Sequence, residues 1–458
     1  MAKNTALTDF TTGSVSKQLI LFSAPLFLSN LLQIVYNMAD VVIVSHVVGK
    51  VGLSAVSVGG DVSTFLTFLA MGFSSAGQVI ISQYIGARQR EKLGGCIGTL
   101  FSFLFSCAIG LSVVCLLLRK PILRLMNTPE LAWDQALDYA TVCMVGLVFI
   151  YGYNAVSAVV RGMGDSKHPF IFVSVAAIMN IILDVVFVAG FRMGALGAAL
   201  ATVISQGFSF LCSFTFLWRK RRDFGFDVSV RDFLRIDMEY LPSLVKLGVP
   251  MAIKSASIQF SKLFVNSWIN SYGVDVSAMA GVANKINSIS NLVSNSVNTA
   301  GSSMVGQNIG AEKYDRVPRI MLTSFAVTMV VSLFLSGMVI FFPEVVFGIF
   351  IGAEEVEVMT IAMQYRPIAV LIFLGSSCRA SMNALLNGGG NYKMNFVTAI
   401  LDGMIMRIGL SLLFGITLGM EYLGFWLGDA LAGFTPLWIG LVYFWSGKWK
   451  TRKYIIKE

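Results

Sequence analysis

The chain has 458 residues, of which 56% are hydrophobic and 13% charged, and its mean hydropathy is +0.74. Soluble domains average about 25% charged residues, so an ordinary soluble protein is excluded and an integral membrane protein with many spans is expected. The net charge of +9 does not point to nucleic acid, because the basic residues cluster in short loops between apolar runs, the usual membrane pattern.

The first 16 residues are polar and lack a signal-peptide pattern, so the first span is expected to act as the insertion signal. Apolar runs long enough to cross about 30 Å of hydrocarbon lie at 18–46, 52–83, 93–118, 135–160, 169–190, 195–218, 243–271, 276–304, 317–341, 358–385, 395–417 and 422–445. Twelve spans put both termini on one side. That side collects 22 Lys and Arg residues and the other five, which makes it cytoplasmic by the positive-inside rule. The expected domains are an N-terminal six-helix bundle (1–218), a cytoplasmic linker (219–242), a C-terminal six-helix bundle (243–447) and a basic cytoplasmic tail (448–458). The linker mixes charge with spaced Phe, Leu and Ile and reads either as a short amphipathic surface helix or as a plain solvated connection.

Polar residues interrupt the apolar runs in few places. Span one holds Pro25 and, in "YNMADVVIV", Asp40. Span two holds Asp61, which on the blander reading faces outer water. Span five reads "NIILDVVF", with Asn180 and Asp184 one helical turn apart on a shared face. A carboxylate at mid-membrane costs roughly 2.5–3.5 kcal/mol on insertion scales, so intramembrane acids are functional candidates by default. In the second bundle the sign reverses: Lys254 follows a proline in span seven, Arg379 sits in span ten and Arg407 in span eleven. No acid is expected mid-span there. Asp402, five residues before Arg407, is the nearest; it reads either as a structural partner of that arginine or as a residue near a span end, and Asp429 is similarly ambiguous. The six cysteines lack CxxC spacing and read as small core residues, and the two histidines stand alone, so neither a disulfide framework nor a metal-enzyme site is indicated. No N-x-[ST] sequon occurs, which favours a bacterial or archaeal source.

The two halves match at a nearly constant offset. "LFSAP" ends at Pro25 and "VKLGVP" at Pro250. Gln83, Ile85, Gly86 and Ala87 return as Gln307, Ile309, Gly310 and Ala311. "RGMGDSK" returns as "NGGGNYK", and Leu196 and Gly197 as Leu423 and Gly424. The offset drifts only from 224 to 227. Six spans per half imply a parallel repeat, an architecture of carriers.

Together these features resemble the multidrug and toxic compound extrusion (MATE) family, in its bacterial or archaeal form, over essentially the whole chain. They are the two six-span halves, the prolines of spans one and seven, the Q-x-x-G-A motifs, the glycine-rich turns after spans four and ten, Asp40 and "NIILD". The resemblance implies an all-α fold of twelve transmembrane helices in two pseudo-symmetric six-helix bundles, forming a V that alternates between outward- and inward-open states. It implies an exporter of drugs or metabolites driven by inward H⁺ or Na⁺. It places Asp40, Asn180, Asp184 and Thr202 around one polar pocket of the first bundle, with Asn154 in the same network. It also implies that span one bends at Pro25 as Asp40 changes state; a static kink is the blander reading. Gln33, Tyr36 and Asn37 then line the substrate chamber.

The residue types suit this chemistry. Carboxylate, amide and hydroxyl oxygens are the hard ligands that Na⁺ requires, and two carboxylates in one low-dielectric pocket repel and can hold a proton between them. Asp40, Asn180, Asp184 and Thr202 therefore suit either ion; Asp184 as a structural acid and Asn180 or Thr202 as packing contacts are the blander alternatives. Lys254, Arg379 and Arg407 either replace a second cation site or bind an acidic substrate group.

The leading expectation is a secondary antiporter in the cell membrane, exporting amphiphilic organic compounds in exchange for H⁺ or Na⁺ by alternating access of the two bundles. The alternative is a flippase or exporter of an anionic or lipid-linked substrate that uses the cationic second bundle. No enzyme activity, no cofactor beyond the coupling ion and no nucleic-acid partner are expected. The expected partners are small organic molecules and membrane lipids, and the expected state is a monomer.

Overall fold

The computed structural model describes residues 8–126, 128–352 and 354–450. All regular secondary structure among them is helical. In chain order the first half gives α1 (Val15–Val47), α2 (Lys50–Gly86), α3 (Leu93–Leu125), α4 (Trp133–Gly162), α5 (Lys167–Asp184) and α6 (Gly194–Lys220). A π-helical turn, Val185–Gly190, prolongs α5. The second half gives α7 (Leu241–Asn270), α8 (Val274–Gly310), α9 (Arg316–Phe341), the short α10 (Pro343–Gly348) and α11 (Val356–Gly388). Its last two spans are broken. One runs α12 (Tyr392–Ile400), a π-turn (Leu401–Met406), α13 (Arg407–Leu412) and a second π-turn (Leu413–Thr417). The other pairs α14 (Glu421–Ala432) with α15 (Thr435–Trp445).

The twelve apolar runs of the sequence thus become twelve helical rods. Ten of them are long and apolar enough to cross a membrane. The exceptions, α7 and α8, are as long as the others but too polar: α8 alone carries Asn284, Asn287, Asn291, Asn295, Asn298 and Asn308. Helices of such composition are kept at membrane depth by facing protein or a polar cavity rather than lipid.

The chain forms two compact units. Unit 1 is built on Ala24–Gly248, and unit 2 on Phe10–Ser23 together with the chain from Val249 onward. The first turns of α1 therefore belong to unit 2, and those of α7 to unit 1. In unit 1, α4 is the central helix, packed against α2, α3 and α6; in unit 2, α11 plays this part against α8, α9, α14 and α15.

Glycines allow the closest of these contacts. A Cβ on Gly162, at the end of α4, would lie 2.8 Å from the carbonyl oxygen of Gln78 on α2. A Cβ on Gly388, at the end of α11, would lie 2.6 Å from that of Ser302 on α8. Two residues further on a glycine turns the chain: Gly164 (φ +87°) and Gly390 (φ +65°) adopt the left-handed region that disfavours other residues. Gly388→Ala is therefore expected to push α11 off α8 and to destabilise the protein by about 1–3 kcal/mol, the usual cost of overpacking. Thermal melting in detergent measures this; an unchanged melting temperature would mean that the helices part freely.

Of the two readings of the linker, a regular amphipathic α-helix does not form; the segment holds a single 3₁₀ turn, Val230–Leu234, closed by a reciprocal capping box between Ser229 and Asp232. The segment docks on unit 1 through its own backbone. Ser102 Oγ donates to the Arg235 carbonyl (3.2 Å), and the Asp237 N–H donates to Thr99 Oγ1 (3.2 Å). Backbone groups bound in this way are no longer available to a longer helix. Phe233 packs edge-on against Phe101, with ring centroids 5.0 Å apart.

The segment before α1 is tied to unit 2 in a similar manner. The Phe10 N–H donates to Gln307 of the second Q-x-x-G-A motif (3.0 Å) and its carbonyl accepts from Asn308 (3.1 Å), while Lys313 and Arg316 hold the Thr11 and Gly13 carbonyls. Of the basic tail, residues 451–458 lie outside the described residues.

Candidate functional site

Unit 1 encloses a cavity of about 690 Å³, within the range of roughly 300–1,000 Å³ usual for small-molecule pockets. Gln33, Tyr36, Asn37 and Asp40 line it from α1, Asn154 from α4 and Thr202 from α6. Spacing explains the α1 set: residues 33, 36, 37 and 40 fall on one helical face. Asn180 and Asp184 stand behind this wall on α5, 2% and 0% exposed. Asn180 donates to Thr202 Oγ1 (3.4 Å), which ties the buried pair to the cavity wall. Asn154 lines the cavity but turns its amide NH₂ to the Ile150 carbonyl of its own helix (2.8 Å).

Both carboxylates are poorly satisfied. Neither oxygen of Asp184 has a hydrogen-bond partner, nor do Asp40 Oδ1 and Asn180 Oδ1. Asp40 lies within electrostatic reach of Asp184, and the Tyr139 ring within reach of both. Asp184 is the last residue of α5 before the π-turn, a local unwinding frequent at functional sites. One residue of this region escaped the sequence reading, and a second was read without its connection to the cavity. Tyr139 sits in an aromatic-rich span where nothing marks one ring from another. Asp61, read as facing outer water, is exposed, but on the wall of the same cavity as Asp40.

Unit 2 has a second, smaller cavity of about 230 Å³, lined by α7, α8, α11, α13 and α14. Arg379 and Arg407 are on its wall. Lys254 lies deeper, 7% exposed, with its ammonium on Asn383 Oδ1 (2.6 Å). The expectation that no acid lies mid-span here is corrected. Asp402 and Asp429 both lie inside spans, and both bind the cations. Asp402 Oδ1 accepts from Arg379 (3.3 Å) and Arg407 (3.2 Å), while Asp429 Oδ1 accepts from the other nitrogen of Arg407.

The reason is local. Residues five apart point about 140° away from each other around an α-helix of 3.6 residues per turn. The π-turn Leu401–Met406 closes its ring at i to i+5 and brings Asp402 and Arg407 onto one side. At the 227-residue offset, Arg407 stands where Asn180 stands in unit 1, and Asp429 where Thr202 stands. The Asn180–Thr202 hydrogen bond thus has an ion pair as its counterpart. The π-turn after Asp184 also has a counterpart, Leu413–Thr417, whereas Leu401–Met406 has none. Lys262, also on the cavity wall, was not singled out by sequence, since a lysine toward one end of a polar span carries no distinguishing signal.

Two six-helix bundles, each with a polar cavity among its helices, define a polytopic membrane transporter. The MatE family model matches residues 25–186 and again 250–413, and the chain belongs to that family. Among curated proteins it is 29% identical to "Probable multidrug resistance protein YoeA" of Bacillus subtilis, over 96% of each chain. Among solved structures it resembles an outward-facing multidrug resistance MATE family transporter of the MOP superfamily, with a TM-score of 0.87 at 21% identity over 97% of this chain and 98% of that one. It resembles equally a MOP superfamily transporter from Pyrococcus furiosus described as having a binding pocket of reverse polarity, with a TM-score of 0.87 at 22% identity and the same coverage.

Proposed function

We propose that this protein is an ion-coupled multidrug exporter of the cell membrane, with both termini in the cytoplasm, working as a monomer. In this reading, amphiphilic organic compounds leave in exchange for H⁺ or Na⁺ by alternating access of the two units. The observation that carries it is the pair Asp40 and Asp184: buried, near each other, and with three carboxylate oxygens unpartnered. Buried charges in that state cost several kcal/mol each unless compensated. A cation is the natural compensation. Asp40, Asn180, Asp184 and Thr202 offer carboxylate, amide and hydroxyl oxygens, and the Asn180 NH₂ is already engaged by Thr202. This donor set fits a proton or a hard monovalent ion. Filling and emptying the site changes the charge beside α1, and Pro25, with no N–H to donate, is the point where that helix resists bending least. Gln33, Tyr36 and Asn37, between Pro25 and Asp40 on the cavity face, are then the substrate contacts that such bending would move.

The test is drug transport in proteoliposomes under a Na⁺ gradient and, separately, a pH gradient. One gradient alone is expected to drive uptake against the substrate gradient. Failure of both would remove the antiport reading.

A second reading, export or flipping of an anionic or lipid-linked substrate, is favoured by the buried cations of unit 2. The Pyrococcus relative, with its reverse-polarity pocket, offers a parallel.

A further inference from the structure

The charges around the unit 2 cavity do not balance. Lys262, Arg379 and Arg407 face it, against Asp429 on the wall and Asp402 behind. Arg407 is the ion-pair centre, with each terminal nitrogen on a different carboxylate, although its buried Nε lacks a partner. Arg379 is less engaged. Of a guanidinium's five donors, it places one on Asp402, at 3.3 Å, and its buried Nε has no partner. Lys262 makes no hydrogen bond or ion pair among the described residues. One positive charge is thus unmatched at the cavity, and Lys254 behind it rests on a neutral amide. An unmatched charge beside buried ion pairs is costly, and an anion would reduce the cost.

The rest of the wall is suited to one. Asn266, Asn284 and Asn291 offer amide donors, while Trp426 and Ile372 supply an apolar side. The cavity, at about 230 Å³, is below the roughly 300–1,000 Å³ that houses a whole drug-sized molecule. It is the size of a charged head with part of a ring.

We propose that unit 2 carries a subsite for the oxyanion head of an organic substrate, held by Lys262 and Arg379, with the apolar body of the substrate against Trp426. The Arg407–Asp402–Asp429 cluster does not itself bind the ligand. It fixes Arg379, which lines the cavity, through the shared Asp402 oxygen. The inference deepens the export reading and rests on it, since it names the end of the substrate that unit 2 recognises. It also separates the labour of the units, with inorganic cation in one and organic anion in the other.

The test measures binding apart from transport, so that its failure and a failure of efflux are distinguishable. Detergent-solubilised full-length protein is titrated calorimetrically with 1-naphthoate, 1-naphthyl phosphate and 1-naphthylmethylammonium, which present one apolar body with three heads. At least one of the two anions is expected to bind about tenfold or more tighter than the ammonium, a difference of roughly 1.4 kcal/mol. Preference for naphthoate identifies a carboxylate head and preference for the phosphate a phosphoryl head; either supports the subsite. Lys262→Gln should remove the preference and Lys262→Arg restore it. Lys285→Gln, whose ammonium lies over the Phe350 ring and off the cavity, should leave it intact. Melting curves establish that each variant is folded; Lys262 makes no hydrogen bond among the described residues, and Lys262→Arg keeps the charge that Asp429 senses, so the pair of variants separates loss of binding from loss of stability. Equal affinity for all three heads, or an undiminished anion preference in folded Lys262→Gln, would overturn the proposal.

Discussion

Asp40→Asn and Asp184→Asn are each expected to lower efflux by about a hundredfold, equivalent to roughly 2.7 kcal/mol, while leaving the protein in the membrane. The substitution keeps shape and removes charge. Asp184 is 0% exposed and neither of its oxygens has a hydrogen-bond partner, so no structural bond is lost with the charge. What is lost is the reason for a cation to enter and leave. If Asp184 were a structural acid, the change would cost stability and spare the ion dependence of any remaining transport. If it serves coupling, stability is retained or raised and the dependence on the driving gradient disappears. Drug efflux from cells and melting of the purified variants together separate these outcomes. Wild-type efflux by both variants would end the coupling role of this pair.

Arg407→Asn should be the most destabilising single change in unit 2, by about 3–5 kcal/mol, the range for breaking a buried ion pair from one side. Arg407 is 1% exposed and joins two carboxylates. Its loss removes the one ion pair of Asp429 among the described residues, leaving Lys262 only within electrostatic reach, while Asp402 keeps Arg379. Unit 1 suggests the remedy. Asn180 and Thr202 occupy the equivalent positions and satisfy each other without charge. The double variant Arg407→Asn with Asp429→Thr should therefore recover much of the loss, giving a coupling energy toward the upper end of the 0.5–3 kcal/mol found for contacting residues. Melting temperatures of the two single variants and the double, in one detergent, provide the cycle. Simple additivity would mean that the ion pair contributes nothing as a pair.

The helices were legible because lipid imposes a length. A run such as "FIFVSVAAIMNIILDVVFVAG" admits little besides a spanning helix. Asp40 and Asp184 were legible for the same reason, as charges in places where charge is costly. The partners of Arg407 were less so. Asp429 meets it only after the chain turns back from α13 to α14, and Asp402 only because the helix widens by a π-turn that no residue in "LDGMIM" announces. The linker was left open between two readings for a similar reason: its alternation of polar and apolar residues suits a surface helix, but the contacts of its backbone with α3 are not written in its own residues.

The hydrogen bonds that tie Phe10–Gly13 to Gln307, Asn308, Lys313 and Arg316 help make Phe10–Ser23 part of the unit built by the last half. Leu241–Gly248 is the converse loan, from the second half to the first unit. Chain order and structural ownership therefore differ at both places. A fluorophore placed near Thr12 reports on the later unit, whatever its residue number suggests. A gene cut in the 219–242 linker would not yield two self-sufficient pieces, since each polypeptide would leave with a segment the other needs. An ancestral half-length chain of this design would have met the same constraint, completing itself only beside a second copy.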